Sequence, residues 1–355
     1  MRVLFAYLGT PGPLYVLDTT PEQALETLPT THMSEVNGLL VPWYLQQLGH
    51  EVAALTEQAV QPWWMPQVHI DDADPADWDV LYLWKRQSVT QWVESHPRLL
   101  ALPWRNVAAW FDFGGLSNVA QSDAIGSFAW GTERIARGER PNFPSAHHCV
   151  VEHATTFVDP PEMGETKPRG LFAGRLPAPY LRALKTAADH VPMMAYVLSI
   201  KSGASKVNFR PGQYSTEDLA SARRAVGPNV EIYTGSNMLK VSKEASAASF
   251  GLVPSTRPPG VEQAQSASKA WDYWAMGLPV VIDANVPEAR MVGLGCSPFL
   301  GSAYNSQDWM QAYCSALCED GAEVARQKIQ DWTFRHHTWK HRAQQIHEEQ
   351  LCTLS

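Results

Sequence analysis

Ser268, Lys269 and Asp272 place a hydroxyl, an ammonium and a carboxylate within five residues. They open an amphipathic stretch that breaks at Gly277-Leu278-Pro279 and gives way to Val280-Val281-Ile282. Glycine suits a helix C-cap, and proline cannot continue the helix. A β-branched run is what a covered parallel strand requires. The order predicts a helix start above a parallel sheet, where backbone N–H groups and the helix dipole receive phosphate. The chemistry implied is the binding of a nucleotide or another phosphate.

Such a site needs a sheet to carry it. Apolar runs at Val3–Leu8, Val52–Leu55, Trp78–Trp84, Asn106–Asp112, Ser127–Gly131 and Cys149–Glu152 read as strands, with a helix over Ser34–Gly49 strained by Pro42. Asp159–Pro168 is polar and proline-rich and reads as a linker. The pattern then restarts at Gly170–Ala173, Met194–Ile200, Val230–Tyr233, Ala248–Pro254 and Val280–Ile282, and Ala316–Leu351 is mainly helical and charged. Strands separated by helices imply right-handed crossovers and parallel sheets. The expected fold class is α/β, in two Rossmann-like domains.

At 355 residues the chain exceeds what one core usually supports. Its 45% hydrophobic and 18% charged residues are those of an ordinary globular protein. A net charge of −8 argues against a broad nucleic-acid surface but permits a local basic groove. Five scattered cysteines, an odd number, imply reduced thiols and a cytoplasmic location, and Cys314 and Cys318 read as packing rather than a redox pair. Neither a signal peptide nor an apolar membrane span is read in the sequence.

Several segments follow one another in a telling order: Arg169–Leu176 with Gly174-Arg175, Val230–Gly235, Ala248–Ser255, Ser268–Val281 and Pro287-Glu288. Over roughly Arg169 to Val292 they resemble the donor domain of the retaining, sugar-nucleotide-dependent glycosyltransferases of GT-B architecture (the group 1, GT4-like set). The resemblance implies two facing Rossmann-like domains: an acceptor domain over 1–165, a donor domain over 166–324, and C-terminal helices over 325–355 returning to the first. It also implies transfer of a hexose or pentose from a nucleoside-diphosphate sugar, UDP-sugar first, to a hydroxyl. Three positions depart from the pattern. The second glutamate of the family falls on Asp272, the first on Ala264, and the lysine five residues after Gly-Arg on Tyr180. Arg182, Lys185, Lys201 and Lys206 are candidates to replace that lysine.

From this follow candidate roles. Loss of a diphosphate leaving group builds negative charge, and no Asp-x-Asp metal pair stands in a loop after a strand, so side-chain cations and backbone N–H groups must meet it. Arg175, whose planar fork matches phosphate oxygens, and Lys269 are the first choices. Gly174, Tyr233, Gly235 and Ser268 line the donor, Asp272 takes the ribose, and Gly9, Thr10 and Gly12 let a glycine loop approach the diphosphate. Asp112, after an apolar strand, is the candidate to orient or deprotonate the acceptor. His32, Glu35 and His153 are weaker candidates. No metal site and no cofactor beyond the donor is expected.

Other clusters read as ordinary surface or packing: His336, His337, His341 and His347; His147-His148; Trp63-Trp64; and Arg134, Arg137 and Arg140. The acceptor stays open. Some viral enzymes of this architecture glycosylate hydroxymethylated bases in DNA; the tryptophans and the arginine series allow that here, while the net charge opposes it. An epimerase on the same frame and a non-catalytic sugar-nucleotide binder are the alternatives, the latter suggested by Ala264 and Tyr180. A monomer and a homodimer are both compatible with the sequence.

Overall fold

A computed structural model describes residues 1–7, 20–27, 33–56, 64–84, 97–111, 124–131, 146–176, 178–200, 216–234, 238–255, 267–291, 298–300 and 322–354. The chain divides into two compact units. The first is built from Met1–Thr27, Met33–His153 and Trp339–Ser355, and the second from Ala154–Thr338.

In the first unit a seven-stranded parallel sheet runs in the order β3-β2-β1-β4-β5-β6-β7. Its strands are β1 (Arg2–Tyr7), β2 (Glu51–Thr56), β3 (Gln67–His69), β4 (Val80–Trp84), β5 (Val107–Phe111), β6 (Ser127–Trp130) and β7 (His147–Val150). Helices α1 (Pro21–Thr27), α2 (Met33–Gln47) and α3 (Pro97–Ala101) belong to it, and α2 runs through Pro42. Residues Val3 to Ala6 and Val80 to Leu83 are fully buried, as strands covered on both faces must be. The C-terminal segment closes this unit with α9 (Trp339–Gln345) and a π-helical turn, Ile346–Leu351. Tyr82 donates to Gln350 Oε1 at 2.6 Å, and the Arg342 guanidinium donates twice to the His153 carbonyl at 3.0 and 3.1 Å.

The second unit holds a six-stranded parallel sheet in the order β10-β9-β8-β11-β12-β13. Its strands are β8 (Lys167–Leu176), β9 (Met193–Ile200), β10 (Val230–Thr234), β11 (Ala248–Val253), β12 (Val280–Ile282) and β13 (Pro298–Leu300). Its helices are α4 (Ala178–Ala188), α5 (Thr216–Val226), α6 (Met238–Ala245), α7 (Lys269–Ala275) and α8 (Ala322–His336). Every residue of α7 from Ala270 to Ala275 is buried. The expected stop at Gly277 is a Schellman motif: Gly277 has φ +69, its N–H donates to Trp274 O, and Leu278 N–H donates to Tyr273 O.

Asp159–Pro168, read from composition as a linker, is fastened to the second unit. Gly164 N–H donates to Ser246 Oγ at 2.7 Å, and buried Arg326 donates to Gly164 O, Thr166 Oγ1, Ser246 O and Gly277 O. Buried backbone carbonyls need donors, and Arg326 gathers carbonyls from three segments that secondary structure leaves open. The chain passes between the units at 153/154 and 338/339, where the sequence expectation stood at 165/166 and 324/325.

Candidate functional site

In each sheet the order reverses beside the first strand, between β1 and β4 in one unit and between β8 and β11 in the other. Open parallel sheets bind ligands at the carboxyl edge of such a switch point. At that edge of the second unit, β8 ends in Gly174-Arg175-Leu176, and α7 begins at Lys269 after β11.

The pairing of β8 with β9 slips between Gly174 and Arg175, a bulge that re-aims the residues after it. Gly174 has φ +131, and a Cβ there would stand 3.3 Å from the Lys269 ammonium nitrogen. The backbone conformation favours glycine, since L side chains rarely adopt it, and a side chain there would also press on the end of Lys269.

The Lys269 ammonium lies over the Phe172 ring at 4.3 Å and over the Tyr180 ring at 4.5 Å. These two rings meet edge to face, 5.6 Å apart at 72°. No ion pair or hydrogen bond to a carboxylate serves that ammonium among the described residues. Burial, and then the Arg175 guanidinium, lower its pKa to about 7. Burial also lowers the pKa of Arg175, opposed by Tyr180; a guanidinium keeps its charge regardless. The half-buried Arg175 guanidinium and Lys269 ammonium thus stand close enough for one to depress the pKa of the other, a corner suited to an anion.

Asp272, the residue expected to take a ribose, is buried and accepts hydrogen bonds from Thr155 Oγ1 at 3.0 Å, Thr156 N–H at 2.6 Å and Thr156 Oγ1 at 3.0 Å. Its carboxylate is committed to bracing Thr155 and Thr156 against α7. Ser268 sits in helical conformation and its side chain makes no cap hydrogen bond among the described residues.

Tyr233, at the end of β10, is half-buried, stacks on Tyr196 at 5.0 Å and donates to Glu231 at 2.6 Å. His153, expected at a ligand edge, is buried between Trp110 and Trp339, with ring centres at 5.3 and 6.0 Å. His337 falls between α8 and α9 and stacks on Trp271 and Trp332, so it shares no helix face with His341. Among the described residues no cluster of three or more metal-ligating side chains is present. Asp112, Gly9, Thr10, Gly12, Gly235, His32, Ala264 and the three arginines Arg134, Arg137 and Arg140 lie outside the described residues.

Four features escaped the sequence reading. Phe172 and Tyr180 are the rings under Lys269; the only signal was an aromatic residue where a lysine was expected. Tyr273 Oη accepts from Ala173 N–H at 2.6 Å, bonding α7 to β8 one residue before Gly174. Buried Glu288 accepts from Ala267 N–H at 2.9 Å and so fixes the residue before Ser268. Buried Asp283, directly after β12, accepts from Asn285 N–H through one oxygen, and its other oxygen has no hydrogen-bond partner among the described residues.

No protein-family profile and no curated protein matches the chain. Solved structures do. Sucrose-phosphate synthase from Thermosynechococcus elongatus superposes with a TM-score of 0.64 at 13% identity, over 100% of both chains. HepE from Anabaena, solved with UDP and glucose, gives 0.58 at 12% identity, over 99% of this chain and 100% of that one. An α-glucosyltransferase in complex with UDP and a 13-mer DNA gives 0.58 at 9% identity, over 99% of each chain. The chain therefore has the two-unit α/β fold of the GT-B glycosyltransferases. Among the described residues no helix is long and apolar enough to cross a membrane.

Proposed function

We propose that this chain is a glycosyltransferase that transfers a sugar from a nucleoside-diphosphate sugar, with UDP as the first nucleotide to test, to a hydroxyl acceptor, and that side-chain cations rather than a metal meet the leaving diphosphate. The observation that carries the reading is the pairing of the Arg175 guanidinium with the Lys269 ammonium at the switch point of the second sheet. The fold supports it, since UDP is present in two of the structures that share that fold.

In the reaction the bond between the anomeric carbon and the diphosphate oxygen breaks, and a bond from that carbon to the acceptor oxygen forms. Negative charge grows on the diphosphate. Preorganised cations in a water-poor corner stabilise such charge more than water does. Arg175 offers a fork to two phosphate oxygens, and Lys269 a point charge beside it. The acceptor proton passes to a base, for which Asp112 is the sequence candidate.

A thermal-shift screen of nucleoside diphosphates and their sugars tests the reading. A ligand at 100 times its Kd stabilises the folded protein by about 2.7 kcal/mol. A rise in melting temperature with one nucleotide, followed by sugar transfer across an acceptor panel, is expected. A flat screen would sink the proposal, and donor hydrolysis or epimerisation with no transfer would move it to another enzyme class.

A DNA acceptor is the second reading, favoured by the α-glucosyltransferase solved with a 13-mer DNA and opposed by the net charge of −8. Gel shifts with plain and hydroxymethylated duplexes over a salt series decide it, because binding to phosphate backbone weakens steeply with salt. No salt-sensitive complex removes it.

A further inference from the structure

We infer that Phe172 and Tyr180 are positioning residues whose rings seat the Lys269 ammonium beside Gly174 and Arg175, so that the second cation for the diphosphate reaches the site from α7 rather than from α4. The inference rests on the proposed sugar-nucleotide reading and assigns the parts of that site.

A lysine at the head of a short helix would ordinarily turn into water, where its ammonium is strongly solvated. Here the side chain instead crosses the carboxyl edge of β8 to lie over two rings, one on β8 and one on α4. The missing side chain at position 174 eases that route, since a Cβ there would stand 3.3 Å from the ammonium nitrogen. The faces of aromatic rings attract a cation, and more so where water is excluded. Phe172 is fully buried and Tyr180 nearly so, so the seat is rigid. Tyr180 occupies the place on α4 where a cation was expected, and its ring instead holds a cation from another element.

Among the described residues, the titratable and charged groups around this corner are Arg175 from β8, Tyr180 from α4, and Tyr273 from α7 with Asp272 beside it. Asp272 is consumed by the two threonines. Among the described residues the rings, and no carboxylate, hold the ammonium, which leaves it able to meet an incoming anion.

The test is a calorimetric titration of UDP and of uridine into the full-length protein and its Tyr180→Phe, Tyr180→Leu and Lys269→Ala variants, repeated across pH 6 to 9. Tyr180→Phe keeps the ring and should bind UDP within about twofold of the parent. Tyr180→Leu fills the space without a ring and should weaken UDP roughly fivefold, leave uridine unchanged, and move the alkaline fall in UDP affinity to lower pH. In the Lys269→Ala background the Leu change should have no further effect on UDP. Phe172→Leu repeats the comparison from the β8 side, should Tyr180→Leu fail to fold. If Tyr180→Leu and Phe172→Leu bind UDP as the parent does while Lys269→Ala does not, the seat is refuted and the diphosphate site stands. If Tyr180→Phe loses as much as Tyr180→Leu, the hydroxyl and not the ring is responsible, and the seat is refuted. If the parent binds no nucleoside diphosphate, the sugar-nucleotide reading itself fails.

Discussion

The ammonium nitrogen of Lys269 stands 4.5 Å from the ring centre of Tyr180, at a position where a lysine was expected from the sequence. The cation is present in the site but arrives from a different element. Its charge is conditional: burial and Arg175 bring its pKa to about 7, so near neutral pH the free protein holds it only partly protonated. A bound diphosphate favours the charged form.

Nucleotide binding is therefore expected to take up a proton. Near pH 8 the free amine is mainly neutral and the terminal phosphate, with a pKa of about 6, is already ionised, so uptake should approach one proton per UDP. Calorimetry in buffers of different ionisation enthalpy reads this directly. UDP affinity should also fall as pH rises above about 7, by at most tenfold per pH unit. Lys269→Met should abolish both effects; uptake that persists in this variant would assign the proton elsewhere.

Arg175 offers a sharper contrast between ligands. Removing a charge-assisted hydrogen-bonding group costs about 1.5–3 kcal/mol, so Arg175→Ala should weaken UDP roughly tenfold to a hundredfold. Uridine, lacking phosphate, should be unaffected. Equal losses for both would show that Arg175 holds the fold of the bulge rather than the diphosphate.

How much of this was legible follows from which forces local sequence reports. Buried parallel strands are continuous apolar runs, so β1, β4, β5, β8, β11 and β12 could be read from Val3–Leu8, Trp78–Trp84, Asn106–Asp112, Gly170–Ala173, Ala248–Pro254 and Val280–Ile282. The edge strands β3 and β13 could not: each has three residues, one with a histidine and one with a proline. Very short edge strands, or ones that hold a proline, are how sheets blunt their exposed sides, and three residues carry no periodic signal. In the site, Arg175 and Lys269 were legible as residue types at strand and helix ends. The seat was not, because it pairs residues on β8, α4 and α7 that only the crossovers bring together. The partners of Asp272 were hidden for a related reason. A carboxylate near a helix start looks like a ligand-binding group until Thr155 and Thr156, over a hundred positions away, occupy its oxygens.

Asp272 should accordingly behave as a brace. Asp272→Ala leaves one buried N–H and two hydroxyls without their acceptor, a loss of roughly 3 kcal/mol of stability. The denaturant midpoint should fall, with Asp272→Asn intermediate. Had Asp272 been a ribose ligand, Ala would instead weaken UDP and leave stability unchanged.

Gly251 controls the site from below. A methyl group on its Cα would overlap the Tyr273 ring, whose hydroxyl accepts from Ala173 N–H next to Gly174. Gly251→Ala should cost about 1–3 kcal/mol by overpacking. It should also weaken UDP, because the displaced ring shifts the backbone that admits Lys269. A variant as stable as the parent, or one destabilised with full UDP affinity, would break the link from β11 to the site.

In the first unit, His50 predicts an acid limit to stability. It contacts His347 at 3.0 Å, and its pKa is lowered to about 4 by burial first, then by the N-terminal amine and His347. Above about pH 6.5 the imidazole is neutral in both folded and unfolded chains and has no effect. As pH falls from 6.5 toward 4, the unfolded chain binds a proton that the folded one refuses, so stability falls; below 4 the loss levels off. The expected loss is roughly 2–3 kcal/mol. His50→Gln keeps a polar side chain that does not titrate, and should flatten the pH dependence of the urea midpoint between pH 6.5 and 4. A variant that keeps the full slope would shift the cause to another group.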